Sequence, residues 1–313
     1  MQVFRNAVFS KTINGSPFLS SVRHARFLSS SPVRWEQEKK NKIEGFPWLL
    51  NKDKPRITEY PYERAPSDWS FLNLLPNGLQ RALGKWLGTR VLQLNTGHDN
   101  FPDQFLVGAS LATRKALSLL SQQLNHPENK HEELQHILGP DLLDRFLKAA
   151  PSDANINIDI PQIYDVNLGD IWITLGNPAA FSDERKYEVL RWMTVQVGLH
   201  KAAVNENEES FQEYRERVSK SILEGVQVGV DVLIDADITY KVSDKDTDEI
   251  TLYDEGRRTL QVRFATPYFS PANKMVSGRD PETQEPINDW NWRLVDIDQL
   301  IEKESMDSAG IYE

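Results

Sequence analysis

The stretch Val226–Tyr240, VQVGVDVLIDADITY, alternates residue by residue over fifteen positions. Val226, Val228, Val230, Val232, Ile234, Ala236, Ile238 and Tyr240 fall on one side. Gln227, Gly229, Asp231, Leu233, Asp235, Asp237 and Thr239 fall on the other. A strand turns successive side chains to opposite faces, so this period specifies a long strand with one buried and one mostly wet face. The valine face needs a second layer to cover it.

Similar alternation runs through 187–199 (Tyr187, Val189, Met193, Val195, Val197, Leu199), 260–268 (Leu260, Val262, Phe264) and 290–294 (Trp290, Trp292, Leu294). Ile171 and Ile173 mark a shorter strand after a Gly169-Asp170 turn. Upstream the period is helical. In 103–123, Phe105, Ala109, Ala112, Ala116, Leu119 and Leu120 recur at spacings of three and four. Residues 130–149 form a second helical region, broken at Gly139-Pro140, where proline suits a first helical position. The acidic stretch 204–220 reads as a helical insertion between strands. Helices first and long strands after predict an α+β domain, with N-terminal helices packed on one face of a curved antiparallel sheet.

Charge divides the chain. Residues 1–35 carry Arg5, Lys11, Arg23, Arg26 and Arg34 and no acid, while the whole chain is at −10, which leaves −15 on residues 36–313. An Arg- and Ser-rich, acid-free N-terminus is the composition of a mitochondrial transit peptide. A matrix-negative potential draws such a segment inward at roughly 2.3 kcal/mol per charge per 100 mV. Arg26-Phe27-Leu28-Ser29 and Arg26-x-Leu28-x-x-Ser31 both fit matrix-processing patterns, placing the start of the mature chain between Ser29 and Glu36. Chloroplast import is the competing address. The acidic body argues against a nucleic-acid partner held through phosphates. The chain has no cysteine, which excludes disulfides and thiolate chemistry. No apolar run reaches the ~18 residues of a spanning helix.

Residues 36–100 read as an extended linker, with Pro47, Pro55, Pro61, Pro66 and Pro76 breaking regular structure and Trp48, Tyr60, Tyr62 and Trp69 as surface pins. Its later part, 78–93, is helical in pattern. Leu79, Ala82, Leu83, Trp86 and Leu87 make an apolar stripe, with Arg81 and Lys85 opposite. Gly84 and Gly88 weaken this helix by ~1 kcal/mol each relative to Ala. Such a stripe either packs on its own domain or lies on an anionic membrane, where Arg81 and Lys85 meet headgroups and Trp86 sits at the interface.

Candidate chemistry is sparse. Asp231, Asp235 and Asp237 share the face opposite the valines, so a solvated face is the simplest reading. Asp244–Glu255 has the acid spacing of a calcium loop but Glu249 where that loop needs glycine, and its flanks read as strands. His126, His131 and His136 are spaced by five, which spreads them around a helix instead of pairing them on one face. No Walker loop, G-x-G-x-x-G or Ser-His-Asp context is present.

Over residues 101–305 the order of elements resembles the Tim44-like branch of the NTF2-like superfamily. Phe105, Gly108, Ala109 and Ala112 match its Phe-x-x-Gly-Ala-x-x-Ala helix, a small-residue patch that lets the sheet approach. Gly169-Asp170-Ile171 matches its Gly-Asp-Ile turn, and Trp290 and Trp292 match its last strand. Within that branch the chain is most similar to the matrix AAA protease-interacting protein family. The resemblance implies an NTF2-like cone followed by a short tail, 306–313. It also implies a non-enzymatic matrix adaptor with no catalytic, cofactor or metal residues, peripheral to the inner membrane. Its partner would be the matrix AAA protease or an imported inner-membrane client, with weak membrane contact and no direct nucleic acid. Two alternatives stand beside it. One is a mitoribosome-associated anchoring protein. The other is an NTF2-like small-molecule enzyme, which needs an Asp or His on an inward strand face. His200 shares the face of Trp192, Thr194 and Gln196, whose exposure sequence does not assign. Fold alone licenses no activity.

Overall fold

The computed structural model describes residues 76–128, 131–183, 185–192, 194–202 and 210–308. The expected transit peptide 1–35, the linker up to residue 75 and residues 309–313 of the tail lie outside the described residues.

Six strands form one sheet in the order β2-β3-β1-β4-β5-β8. They are β1 (Ala154–Gly176), β2 (Tyr187–Trp192), β3 (Val195–His200), β4 (Val226–Asp244), β5 (Ile250–Ala265) and β8 (Arg293–Ile297). Two-residue strands β6 (Gly278–Arg279) and β7 (Pro286–Ile287) make a separate ladder. The helices are α1 (Asn77–Thr96), α2 (Phe105–Asn125), α3 (Glu132–Ile137), α4 (Pro140–Ala149), α5 (Phe211–Glu224) and α6 (Leu300–Ser308). The fold is α+β, an NTF2-like cone in which N-terminal helices contact a strongly curled half-barrel sheet.

The alternation at 226–240 is the body of β4, and its valine face is the core. Val228, Val230, Val232, Ile234 and Ala236 are completely buried. Each of the buried Val and Ile side chains stabilises the fold by about 1.5–3 kcal/mol. On α2, Phe105, Ala109, Ala116, Leu117, Leu120 and Leu124 form the covering stripe. The expected break at Gly139-Pro140 separates α3 from α4, with Pro140 in the first turn.

Four expectations need correction. The sheet is mixed, because β3 pairs with β1 in parallel. The alternation at 187–199 is two strands, β2 and β3, paired as a hairpin. The chain turns away after β1 at Gly176, where φ is +105° and a Cβ would lie 2.2 Å from the carbonyl oxygen of Gly198. Only glycine fits there. Ile171 and Ile173 do not start a short strand; they belong to the 23-residue β1. Gly169-Asp170 is therefore no turn but one of three register shifts in the β1–β4 ladder, between Leu168 and Ile171. Such bulges bend a strand and raise its twist, which accounts for the curl. Finally, Trp290 and Trp292 precede β8 instead of lying in it. Trp292 stacks near Phe105 at 4.8 Å and Trp290 near Phe269 at 5.4 Å, closing one end of the core with an aromatic cluster.

Among the described residues the first half of β1 pairs only with β4, and no strand lies on its other edge. Helix α2 seals it with polar side chains. Ser121 Oγ accepts from the Ile158 amide at 2.8 Å, and Asn125 Oδ1 from the Ile156 amide at 2.8 Å. Pro161, which has no amide hydrogen, comes next. An edge covered in this way is closed to pairing with another chain.

Candidate functional site

Helix α1 has 20 residues and no acid. It packs on β1 with the face opposite to the predicted apolar stripe. Gln80, Gly84, Gly88, Leu92 and Thr96, a row of fourth residues, are all buried. A Cβ on Gly88 would lie 2.6 Å from Ile171 Cγ2, and one on Gly84 3.2 Å from Thr194 Oγ1. The two glycines that weaken the isolated helix are what allow it to lie this close to the sheet.

Two cations pin the helix. Arg81 grips Asp170 with both ends of its fork, Nε to Oδ1 at 2.9 Å and Nη2 to Oδ2 at 2.5 Å. Lys85 Nζ donates to the Leu168 carbonyl at 2.6 Å. Asp170 is buried inside the bulge, so the Gly169-Asp170 pair creates the acceptor for the α1 clamp. Of the three residues expected at a membrane or partner face, Arg81 and Lys85 are thus engaged with the sheet. Only Trp86 projects freely, at 63% exposure. Leu79, Leu83, Leu87 and Leu94 are exposed with it, which makes an outward apolar ridge along the helix. Arg90 is exposed within the same face and lies 3.4 Å from the His98 ring. On α2, Val107 and Leu111 are also exposed.

Gly108 does not serve the expected close approach. It is exposed, and a Cβ there would meet nothing within 4 Å. Ala109 is buried and Ala112 partly so. Close approach to the sheet falls instead to Gly84 and Gly88, outside the motif.

The charge division continues along the sequence. Residues 77–125 hold five basic and two acidic side chains, whereas residues 126–313 hold 19 basic and 37 acidic ones. The ridge therefore lies on a stretch with more bases than acids, in contrast to the acidic residues that follow it.

On the other face of the sheet, Asp231 is not solvated. It is 2% exposed and bonded to Arg263 directly across the β4–β5 ladder, with Nε to Oδ1 at 2.6 Å. Trp172 Nε1 donates to its other oxygen at 2.7 Å. Burial works against the Arg263 charge, but Asp231, Glu302 and Asp296 outweigh it and hold the guanidinium above its ordinary pKa. Asp235 and Asp237 follow the expected pattern more closely. Asp235 pairs with Arg257 at 2.5 Å, and Asp237 accepts from Tyr164 Oη at 2.6 Å, both at half-buried positions. The hydrogen bond from Arg257 holds the Asp235 carboxyl below the usual range.

The stretch Asp244–Glu255 is the turn and return of the β4–β5 hairpin, flanked by strands as expected. A cavity of about 550 Å³ lies at that end of the molecule, with Leu124, Leu134, Leu143 and Leu147 as apolar lining and Gln123 and His131 among the polar groups. His200, unassigned from sequence, is bound through Nε2 to Glu224 at 2.8 Å, tying β3 to α5. Among the described residues, no group of three or more metal-ligating side chains is brought together, and no helix is long and apolar enough to cross a membrane.

No protein-family model matches the chain, and no curated protein matches it at a significant level.

Proposed function

We propose that the chain is a non-enzymatic adaptor of the mitochondrial matrix, peripheral to the inner membrane. In this reading it assists biogenesis or sorting of imported inner-membrane proteins together with the matrix AAA protease. The basic N-terminal segment supports the address. The observation that carries the reading is the α1 ridge, a row of exposed leucines with Trp86 on a helix whose opposite face is clamped to β1. An apolar face held outward on a rigid support is what a docking element needs.

The clamp also favours protein over lipid. Bases near an anionic surface contribute about 1 kcal/mol each. Arg81 and Lys85 are spent on Asp170 and Leu168, which leaves few bases for headgroups against a strongly acidic body. Membrane contact is then weak and salt-extractable.

The test is affinity purification of the tagged full chain from mitochondria, with and without nuclease, beside the double variant Leu83→Ser, Trp86→Ser. Recovery of an AAA protease that the double variant loses supports the adaptor. Co-purification of nuclease-sensitive large ribosomal subunits would replace it with the ribosome-anchoring alternative.

A further inference from the structure

Helix α6 meets the outer sheet face, through Glu302, at a buried set of charges that does not balance. Arg263 from β5 meets Asp231 from β4, and its Nη2 lies 2.9 Å from Glu302 Oε2 on α6. The guanidinium stacks over Trp172, 4.3 Å from the ring centre. The side chains of Arg263, Asp231 and Glu302 are 16%, 3% and 10% exposed. A third carboxylate, Asp296 at the end of β8, caps the helix. Its Oδ1 accepts from the Ile301 amide at 2.9 Å and its Oδ2 from the Glu302 amide at 3.1 Å. Three carboxyl groups thus surround one guanidinium, in a place with little water to screen them. Like charges at close range disfavour full ionisation. Asp298, in the same turn, is directed away and accepts from the Gln261 amide at 3.0 Å. The second tie of α6, Arg145 to Glu304 at 2.8 Å, lies nearer the surface and is balanced.

We propose that seating of α6 on the outer sheet face is coupled to uptake of one proton by the Asp231–Arg263–Asp296–Glu302 cluster, so that the helix is a proton-sensitive latch. Burial, helped by the Glu302 charge, outweighs the Ile301 and Glu302 amides and Arg263, and leaves the Asp296 carboxyl at about 6. With α6 released, Asp296 returns to an ordinary value of about 4. The seated form therefore binds the extra proton between those two values. Seating is strongest below about pH 4, weakens as pH rises towards 6, and is at its lower level above that. The latch constant changes by up to roughly 100-fold across the window.

The experiment is amide hydrogen exchange on the full chain from pH 4.5 to 7.5, corrected for intrinsic exchange. In the wild type, protection of residues 301–308 should fall tens of fold as pH rises, while core amides of β4 stay constant. In Asp296→Asn, which keeps an acceptor for the helix amides but does not ionise, the protection should be flat. Flat protection in the wild type, or an unchanged slope in Asp296→Asn, would overturn the latch.

Discussion

Helices α1 and α2, of 20 and 21 residues, both pack on β1, and they do so by opposite means. Helix α2 lays its large apolar side chains on the sheet and turns Gly108 to solvent. Helix α1 lays its glycines and Leu92 on the sheet and turns Leu79, Leu83, Leu87, Leu94 and Trp86 to solvent. The first contact is held by buried hydrophobic area, the second by close backbone approach and two cation clamps. An amphipathic period thus states that a helix has two faces. Which face is turned inward depends on what the neighbouring strand offers. Here β1 offers Asp170, the Leu168 carbonyl and the flank of Ile171.

The sharpest break of that comparison is a charge in the layer both helices rest on. Val230→Asp places an unpaired carboxylate in a completely buried position, at a cost of several kcal/mol. Loss of the cooperative thermal transition is the expected outcome. A variant that melts near the wild-type temperature would mean the valine face is not the core.

Next in size is Gly88→Leu. The added side chain has to displace Ile171, and overpacking of this kind costs roughly 1–3 kcal/mol. Thermal melts and exchange of the α1 amides should both report a loosened helix. Unchanged protection would show that α1 is held by its clamps alone.

The double variant Arg81→Glu, Lys85→Glu follows. It replaces an ion pair by an acid facing Asp170 and removes the bond to Leu168. Because Arg81 is 59% exposed, its pair is partly screened. The expected cost is about 1–2 kcal/mol, read as a lower melting temperature. A stable double variant would restore the idea that both cations serve an outside surface.

The smallest effect has the opposite sign. Gly108→Ala meets no neighbour, lies in a helix interior and should stabilise by about 0.5–1 kcal/mol. Destabilisation in denaturant titrations would show that the small-residue motif has a packing role after all.

Much of the architecture was legible because it depends on local period. The β4 alternation, the α2 stripe and the break before Pro140 are each written in consecutive residues. The parallel β1–β3 pair was not legible, since nothing in either strand states which neighbour it takes. The buried Asp231 was missed for a related reason. Its partner, Arg263, stands directly opposite only in the observed register, and α6 closes over them from a third segment. A signal did exist in the odd-numbered run Arg257, Thr259, Gln261, Arg263, which faces the aspartates once that register is known. Leu79, Leu83, Trp86 and Leu87 of the α1 ridge were identified from sequence; Leu94 and the outward direction of the ridge were not.

By itself the sequence determined the fold class, the core strand and its buried face, and the presence of a two-faced helix before the domain. These follow from the geometry of single elements, in which spacing along the chain maps onto direction in space. Tertiary structure alone decided which face of α1 is presented, which aspartate is buried and where the bulges curl the sheet. Those outcomes depend on residues far apart in the chain meeting at contact distance. A Cβ at Gly88 matters only because Ile171 lies 2.6 Å from it.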